Sequence, residues 1–140
     1  MSRIFWDTNL FIYLIEDYGE LSARVAGLRR RMLERQDQLY TSTLTLGEVL
    51  VKPTETGHQE LREQYRQALE AAAVLVPFDR DAALVYATIR QDRTIKPADA
   101  IQLSCASTAA VELFITNDER LSQKVIPGID FISSLGRAFL

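Results

Sequence analysis

Cysteine and histidine are almost absent from this sequence, and their scarcity argues against several kinds of site. The one cysteine, Cys105, excludes an internal disulfide and gives no sign of an oxidising compartment. The one histidine, His58, lies in a polar stretch, so zinc sites and Ser-His-Asp or Cys-His sites lack suitable side chains. Because no G-x-x-x-x-G-K-[ST] or G-x-G-x-x-G motif occurs, nothing indicates a glycine-rich nucleotide-binding loop.

A long apolar run is also missing. No stretch approaches the ~18 apolar residues of a membrane-spanning helix, and only three apolar residues separate Arg3 from Asp7, so we predict no signal peptide. With 140 residues, 47% of them apolar and 25% charged, the composition predicts one soluble, cytoplasmic domain over residues 1–140. The net charge of −3 argues only weakly against a nucleic-acid partner, because the local distribution of charge matters more.

Short apolar runs alternate with amphipathic stretches along the chain. The runs predict strands at 4–6, 39–41, 74–76, 113–116 and 130–132. The 3.6-residue periodicity predicts helices at 8–17, 21–35, 43–52, 59–73, 80–90 and 119–124, and a further helix beginning at Pro97. Pro53 is expected to end the helix that begins at residue 43. Strands alternating with helices predict an α/β fold, specifically a three-layer α/β/α sandwich with a parallel sheet of four to five strands.

Four carboxylates stand at positions where chemistry is expected. Asp7 and Asp118 follow predicted strands, Asp99 lies in the first turn of the helix from Pro97, and Glu48 lies on the helix from residue 43. In a parallel sheet the strand C-termini share one edge, where ligands bind, so these acids are expected to converge there. Clustered negative charges repel one another, and a hard divalent cation neutralises them well.

Each acid also has a simpler structural explanation. Asp7 and Asp118 are suited to helix capping, and Asp99 in a first helical turn favours the helix dipole. Glu48 lies on a helix that is apolar nearly all round, which predicts burial, and a buried ion pair with Arg or Lys would account for it. Four acids directed at one sheet edge are nevertheless hard to explain as four unrelated structural features.

The ordered set of motifs around these acids resembles the PIN-domain ribonucleases, specifically the VapC-type toxins of toxin–antitoxin pairs. The start at residues 5–13, FWDTNLFIY, resembles the D-[TS]-[NS] opening of the family, and residues 41–49, TSTLTLGEV, resemble the segment of its second acid. Residues 96–101, KPADAI, resemble the segment of the third acid, and residues 113–118, LFITND, resemble its last strand and T-x-D ending.

The resemblance implies a metal-dependent site for RNA cleavage in a small α/β/α sandwich. It implies that Asp7 and Asp99 are the main ligands of Mg²⁺ or Mn²⁺, that Asp118 completes the site directly or through water, and that Glu48 holds a metal-bound water or orients the nucleophile. Asn9 and Thr116 match the positions of supporting polar residues. Oxygen ligands suit these ions better than softer metals.

RNA and an antitoxin protein are the partners that this resemblance implies, together with homodimers or heterotetramers and larger assemblies with the antitoxin. Arg90, Arg93 and Lys96 lead into the Asp99 helix and are predicted to contact RNA phosphates. The helices between residues 8 and 35 carry more apolar residues than a small sheet needs, which predicts a surface for an antitoxin segment; the alternative is that these residues only complete the core or a homodimer contact. The residues are Leu10, Phe11, Tyr13, Leu14, Leu28 and Met32.

Two other functions compete with the nuclease. A phosphatase of the haloacid-dehalogenase kind also begins with an Asp after a strand, but its chemistry needs a second acid two residues later, where this chain has Asn9. A catalytically idle interaction module would keep the PIN fold, but acids at all four positions argue against it.

Overall fold

The sheet contains all of the strands that the sequence predicts. In the computed structural model, which describes residues 1–138, they are β1 (Arg3–Trp6), β2 (Gln38–Ser42), β3 (Val74–Val76), β4 (Leu113–Thr116) and β5 (Phe131–Ser134). All pairings are parallel, in the order β3-β2-β1-β4-β5, with Ile4 opposite Leu39 on one side and Leu113 on the other. The parallel sheet is therefore confirmed, and β1 lies at its centre.

Six α-helices connect the strands within residues 1–138. They are α1 (Thr8–Ile15), α2 (Glu20–Arg35), α3 (Thr43–Glu55), α4 (Gln59–Ala72), α5 (Arg80–Ile89) and α6 (Pro97–Thr108). Pro97 occupies the first turn of α6 as predicted. The helix expected at 119–124 is only a 3₁₀ turn, Leu121–Gln123. No helix in this part of the chain is long and apolar enough to cross a membrane.

The prediction that α3 ends at Pro53 is wrong. The helix continues to Glu55 with Pro53 inside its last turn. A proline inside a helix removes the hydrogen bond of its own nitrogen, and its ring crowds the carbonyl four residues earlier. The later amides still close the helix: Thr56 N donates to the Lys52 carbonyl at 3.1 Å and His58 N to the Pro53 carbonyl at 3.0 Å. Because Pro53 is also buried, the packing of its ring offsets the lost bond.

Alternate residues of the central strands enter two separate apolar cores. Ile4 and Trp6 belong to a core completed by α1 and α2, whereas Phe5 belongs to the core beneath α5 and α6 and stacks on Phe114 with ring centroids 5.1 Å apart. Side chains of neighbouring strand residues point to opposite faces, so the two cores lie on opposite sides of the sheet. The three-layer α/β/α sandwich is confirmed.

Most of the apolar residues of α1 and α2 that were predicted to form a partner surface lie in the core, so that prediction is wrong for them. Four of these six residues are buried in the core: Leu10, Phe11, Leu28 and Met32. Tyr13 is half-buried and Leu14 is exposed. Both helices pack on the sheet and on each other, and this second contact takes up apolar area that the sheet alone does not cover.

Candidate active site

The C-terminal edge of the sheet gathers the four predicted carboxylates around two adjoining clefts. The smaller cleft, about 110 Å³, is lined by Asp7, Glu48 and Asp99, and the larger, about 360 Å³, by Asp99 and Asp118. Asp99 borders both clefts, and the charges of Glu48 and Asp118 act on its carboxyl group. The end of β1, α3, α6 and the loop after β4 therefore place one acid each at a shared site.

Asp7 is the most deeply buried of the four acids. It follows β1 directly, is 9% exposed, and its Oδ1 has no hydrogen-bond partner among the described residues. Burial raises the pKa of Asp7 from its usual 3.8 to about 6; the Thr116 hydroxyl opposes this rise, and the Asp99 carboxylate adds to it. Asp7 holds the N-cap position of α1, where the amides of Asn9 and Leu10 lower its pKa, but it forms no capping side-chain hydrogen bond of normal geometry.

Asp99 and Asp118 face each other across the larger cleft. Asp99, in the first turn of α6, is half-buried, and burial, followed by the charge of Asp118, raises its pKa. Asp118 Oδ1 accepts hydrogen bonds from the amides of Arg120 at 2.9 Å and Leu121 at 3.4 Å. Asp118 thus holds the start of the loop before the 3₁₀ turn rather than capping a helix from Glu119, and among the described residues these bonds use one of its two carboxylate oxygens.

Glu48 is exposed, so the predicted burial of its helix is wrong. α3 buries a single stripe, Thr45, Val49 and Pro53, while Val51 is 50% exposed. Within residues 1–138 no basic side chain pairs with Glu48; its Oε1 instead accepts a hydrogen bond from the Thr8 hydroxyl at 2.6 Å. Helical periodicity shows which residues share a face but not which face the rest of the fold covers; here α1, α4 and β2 pack on α3 and leave Glu48 exposed.

The two predicted supporting residues both lie at the site. Thr116 is fully buried at the end of β4, where its Oγ1 accepts a hydrogen bond from the Asp118 amide at 3.0 Å and its hydroxyl acts on the pKa of Asp7. Asn9 is exposed and lines the smaller cleft. Thr116 therefore connects the last acid to the first.

The basic residues around the larger cleft differ from those expected. Lys96 lines it as predicted, but Arg93 does not, and Arg90 donates from Nη1 to the carbonyl oxygen of Ile95 and so braces the turn before α6. Arg120, which the sequence analysis did not select, lines the cleft and is 85% exposed in its side chain. Its place two residues after Asp118 is the sequence signal that would have found it.

The side chains of the site suit a hard divalent cation. All of the acidic donors are oxygens, and the orphaned Oδ1 of buried Asp7 is a polar atom that a cation would satisfy. Within residues 1–138, no three Asp, Glu, Cys or His side chains converge closely enough to form a complete cage. Mg²⁺ commonly keeps several waters and takes one or two protein carboxylates, so an open arrangement of this kind fits it.

Gln102 is the main site residue that sequence reasoning missed. It lines the smaller cleft, is only 4% exposed, and lies three residues after Asp99, on the same side of α6. The signal for it is the polar side chain between Ile101 and Leu103, because a buried amide must find hydrogen-bond partners.

The family of the chain follows from its sequence and this geometry together. The sequence matches the PIN domain family over residues 4–126. The chain belongs to this family. A chain of a toxin–antitoxin complex from Klebsiella pneumoniae is 27% identical, with a TM-score of 0.65, over 90% of this chain and 94% of that one. No curated protein matches the sequence significantly.

Two further solved structures share the fold of this PIN domain. VapBC2 from Rickettsia felis, bound to a promoter DNA fragment, has a TM-score of 0.73 at 14% identity and covers 94% of this chain and 98% of that one. DNA-bound VapBC from Salmonella typhimurium has a TM-score of 0.66 at 21% identity and covers 96% and 99%. Membership of the PIN family is thus confirmed, and the likeness to these VapBC chains confirms the fold.

Proposed function

We propose that this PIN domain is an Mg²⁺- or Mn²⁺-dependent endoribonuclease and the toxin of a toxin–antitoxin pair. One observation carries the proposal: acids from four separate elements surround one pair of clefts, with an unpartnered oxygen of buried Asp7 among them. Membership of the PIN family and the 27% identity to a chain of a toxin–antitoxin complex support it.

The four acids have different parts in the proposed chemistry. Asp7 and Asp99, which are neighbours in the smaller cleft, would hold the cation, and Asp118 would complete the site through its free oxygen or a water. When bound, the ion supplies positive charge to an in-line phosphodiester hydrolysis. Glu48, held at Oε1 by Thr8, orients the attacking water with its other oxygen.

RNA would approach along the basic side of the larger cleft. Lys96 and Arg120 flank Asp99 and Asp118 there, and both cations lower the pKa of Asp99, which places their charges near the acids. We keep Lys96 as a predicted phosphate contact, add Arg120, and assign Arg90 to the support of the turn before α6. Arg93, which is exposed and outside the cleft, is a weaker candidate contact. Contacts to phosphates position a strand without reading its sequence.

A cognate antitoxin protein is the proposed partner. The similar structures are toxin–antitoxin complexes by description, and a basic side chain from such a partner would be attracted to the four acids. Because most of the apolar excess of α1 and α2 is buried, the partner would bind other surfaces as well, and a homodimer remains a further prediction. Co-expression with the product of the adjacent gene, followed by size-exclusion chromatography with light scattering, tests both.

Cleavage of purified RNA with Mg²⁺, with Mn²⁺ and with chelator tests the enzyme. Asp7→Asn and Asp99→Asn should each abolish cleavage, and the double variant should be little worse than either, because ligands of one site act as a unit. Near-normal cleavage by Asp99→Asn would remove Asp99 from the ligand set. Membership of the PIN family argues against a haloacid-dehalogenase-like phosphatase. Release of phosphate from an aryl phosphate by the purified protein would support that phosphatase instead. Failure of the purified protein to bind Mg²⁺ or Mn²⁺ would favour the catalytically idle interaction module.

A further inference from the structure

A buried network of hydrogen bonds lies beneath the smaller cleft. Gln102 Nε2 donates to the hydroxyl oxygens of Thr8 at 3.0 Å and Thr45 at 2.8 Å, and its Oε1 accepts from the Ser42 hydroxyl. Thr8 in turn donates to Glu48 Oε1 at 2.6 Å. All members except Glu48 are buried, so the network leads from the core to one exposed carboxylate.

Counting protons shows why Gln102 determines the direction of the last bond. A threonine hydroxyl has one proton to donate, and its oxygen accepts. The two threonine oxygens, Thr8 and Thr45, lie 3.1 Å apart and are able to bond each other. Thr45 Oγ1 already accepts from Gln102 Nε2 and lies 2.8 Å from the Thr41 hydroxyl, so it has little capacity to accept from Thr8 as well. The Thr8 proton therefore goes to the Glu48 carboxylate, which can only accept. Without the Gln102 amide, Thr45 regains a free lone pair and competes with Glu48 for the Thr8 proton.

Glu48 has no other restraint within the described residues. Its side chain lies on the exposed side of α3, no lysine or arginine pairs with it, and Oε2 accepts no hydrogen bond from residues 1–138. A long, exposed carboxylate samples many rotamers unless a neighbour holds it. The bond from Thr8 is therefore the contact that fixes where Glu48 presents its free oxygen.

We infer that Gln102 is a positioning residue that, by orienting the Thr8 hydroxyl, holds the Glu48 carboxylate in place over the smaller cleft. This inference rests on the proposed nuclease function, in which Glu48 orients the attacking water. Gln102 itself is buried beneath the cleft, so it acts on the reaction only through Thr8. Loss of a residue that supports an active-site group in this way typically lowers activity 10–100-fold.

Steady-state kinetics at saturating Mn²⁺, with a fluorophore–quencher RNA that the wild type cleaves, gives the first test. Gln102→Met keeps the side-chain length but removes the carboxamide, both its NH2 and its carbonyl oxygen, and we expect kcat to fall about 10–100-fold with KM for RNA unchanged. Thr8→Val should have the same effect, and Thr8→Ser, which keeps the hydroxyl, should restore most of the rate. In a Glu48→Gln background, Gln102→Met should cause little further loss; an equally large loss there would overturn the inference.

Ser104→Ala provides the matched control. Ser104 is as buried as Gln102 and lies on the same helix, but among residues 1–138 its hydroxyl donates only to the Ile101 carbonyl of that helix, at 2.8 Å. We expect its kcat to stay within about twofold of the wild type, since it touches neither Thr8 nor Glu48. A loss in Ser104→Ala as large as that in Gln102→Met would mean that any buried polar change in α6 disturbs the site, and would overturn the inference.

A second measurement needs neither substrate nor metal. In chelator-treated protein labelled with ¹³C-glutamate, the Glu48 side-chain resonance is assigned with Glu48→Gln, and ¹³C relaxation reports its mobility. Gln102→Met and Thr8→Val should make Glu48 more mobile, and Ser104→Ala should not. Unchanged mobility in Gln102→Met would overturn the inference. Failure of the wild type to cleave any RNA would overturn the proposed function alone, because the relaxation comparison still decides whether Gln102 restrains Glu48.

Discussion

Two buried aspartates, Asp37 and Asp7, lie at opposite ends of the central strands, and their surroundings differ. Asp37 precedes β2 and is 7% exposed; its Oδ1 accepts from the Ser2 amide and its Oδ2 from Arg35 Nε, both at 2.9 Å. Asp7 follows β1 and is 9% exposed, yet its Oδ1 is unpartnered and no basic side chain in residues 1–138 pairs with it.

This difference distinguishes a carboxylate that stabilises the fold from one that has an oxygen free to bind a cation. Both oxygens of Asp37 are bonded, so its buried charge is compensated. The buried charge of Asp7 is compensated only in part, by Thr116 and the amides of Asn9 and Leu10, and burial still raises its pKa to about 6. A fold tolerates an incompletely compensated group where function requires it. We therefore expect Asn substitutions at these two equally buried aspartates to have opposite effects: Asp7→Asn should impair RNA cleavage, and Asp37→Asn should lower the stability of the fold.

The largest expected effect is on catalysis. Asp7→Asn should lower RNA cleavage at saturating Mn²⁺ by about 100-fold or more, because loss of a ligand removes several kcal/mol of transition-state stabilisation. Asp37→Asn should cleave at the wild-type rate at a temperature where it is folded. A quantitative gel assay measures the RNA cleavage rates of the two variants. Equal losses of rate would contradict the proposed difference between Asp7 and Asp37.

The pH dependence of stability should show the next largest effect. Between pH 3.8 and about 6 the unfolded chain has released the Asp7 proton while the folded chain retains it. The contribution of Asp7 to the unfolding free energy should therefore fall by about 3 kcal/mol as the pH rises through this window, with no recovery above pH 6.

Asp7→Asn removes this term and leaves unchanged the groups that do not interact with Asp7; Asp99, whose charge acts on Asp7, also contributes to the difference. The unfolding free energy of Asp7→Asn relative to the wild type, from urea melts in chelator at pH 4 to 8, should increase with pH and level off above pH 6. A difference that is flat across this range would show that the Asp7 carboxyl is not perturbed.

Metal linkage gives a somewhat smaller effect. A cation that binds only the folded state adds about 2.7 kcal/mol at a hundredfold excess over Kd. Asp99→Asn should diminish the rise in melting temperature with Mn²⁺, while in chelator it should be as stable as the wild type or more so, since repulsion is relieved. If Asp99 only stabilises the helix dipole, the variant should instead lose about 0.5–1 kcal/mol and keep the full Mn²⁺ response. Thermal melts decide between them.

The smallest expected effect is the loss of stability when Asp37, the hydrogen-bonded aspartate, is replaced. Asp37→Asn should lower the unfolding free energy by about 2 kcal/mol, because it weakens two charge-assisted hydrogen bonds. The loss should be nearly the same with chelator or with Mn²⁺, as measured by urea unfolding. A loss that changed with Mn²⁺ would connect Asp37 to the metal site and contradict the contrast with Asp7.

Most of the fold was predictable because local pattern and global topology agree. The strand Val74–Val76 and the start of α6 at Pro97 were predicted without error, since apolar runs and proline act over a few residues. The end of α3 was not, because the burial that offsets Pro53 comes from distant parts of the chain. Arg90 and Arg120 show the same limit: both are basic residues near an acid in sequence, but only Arg120 lines the cleft.

The sequence by itself determined the order of strands and helices along the chain. It also determined that one acid follows β1, one lies just after β4 and one lies in the first turn of α6. These features depend on periodicity and on residues close in the chain. Only the tertiary structure decided that Glu48 is exposed and that Gln102, 94 positions from Thr8, bonds to it. Burial and long-range hydrogen bonds depend on which elements pack together, and this packing cannot be deduced from local sequence patterns.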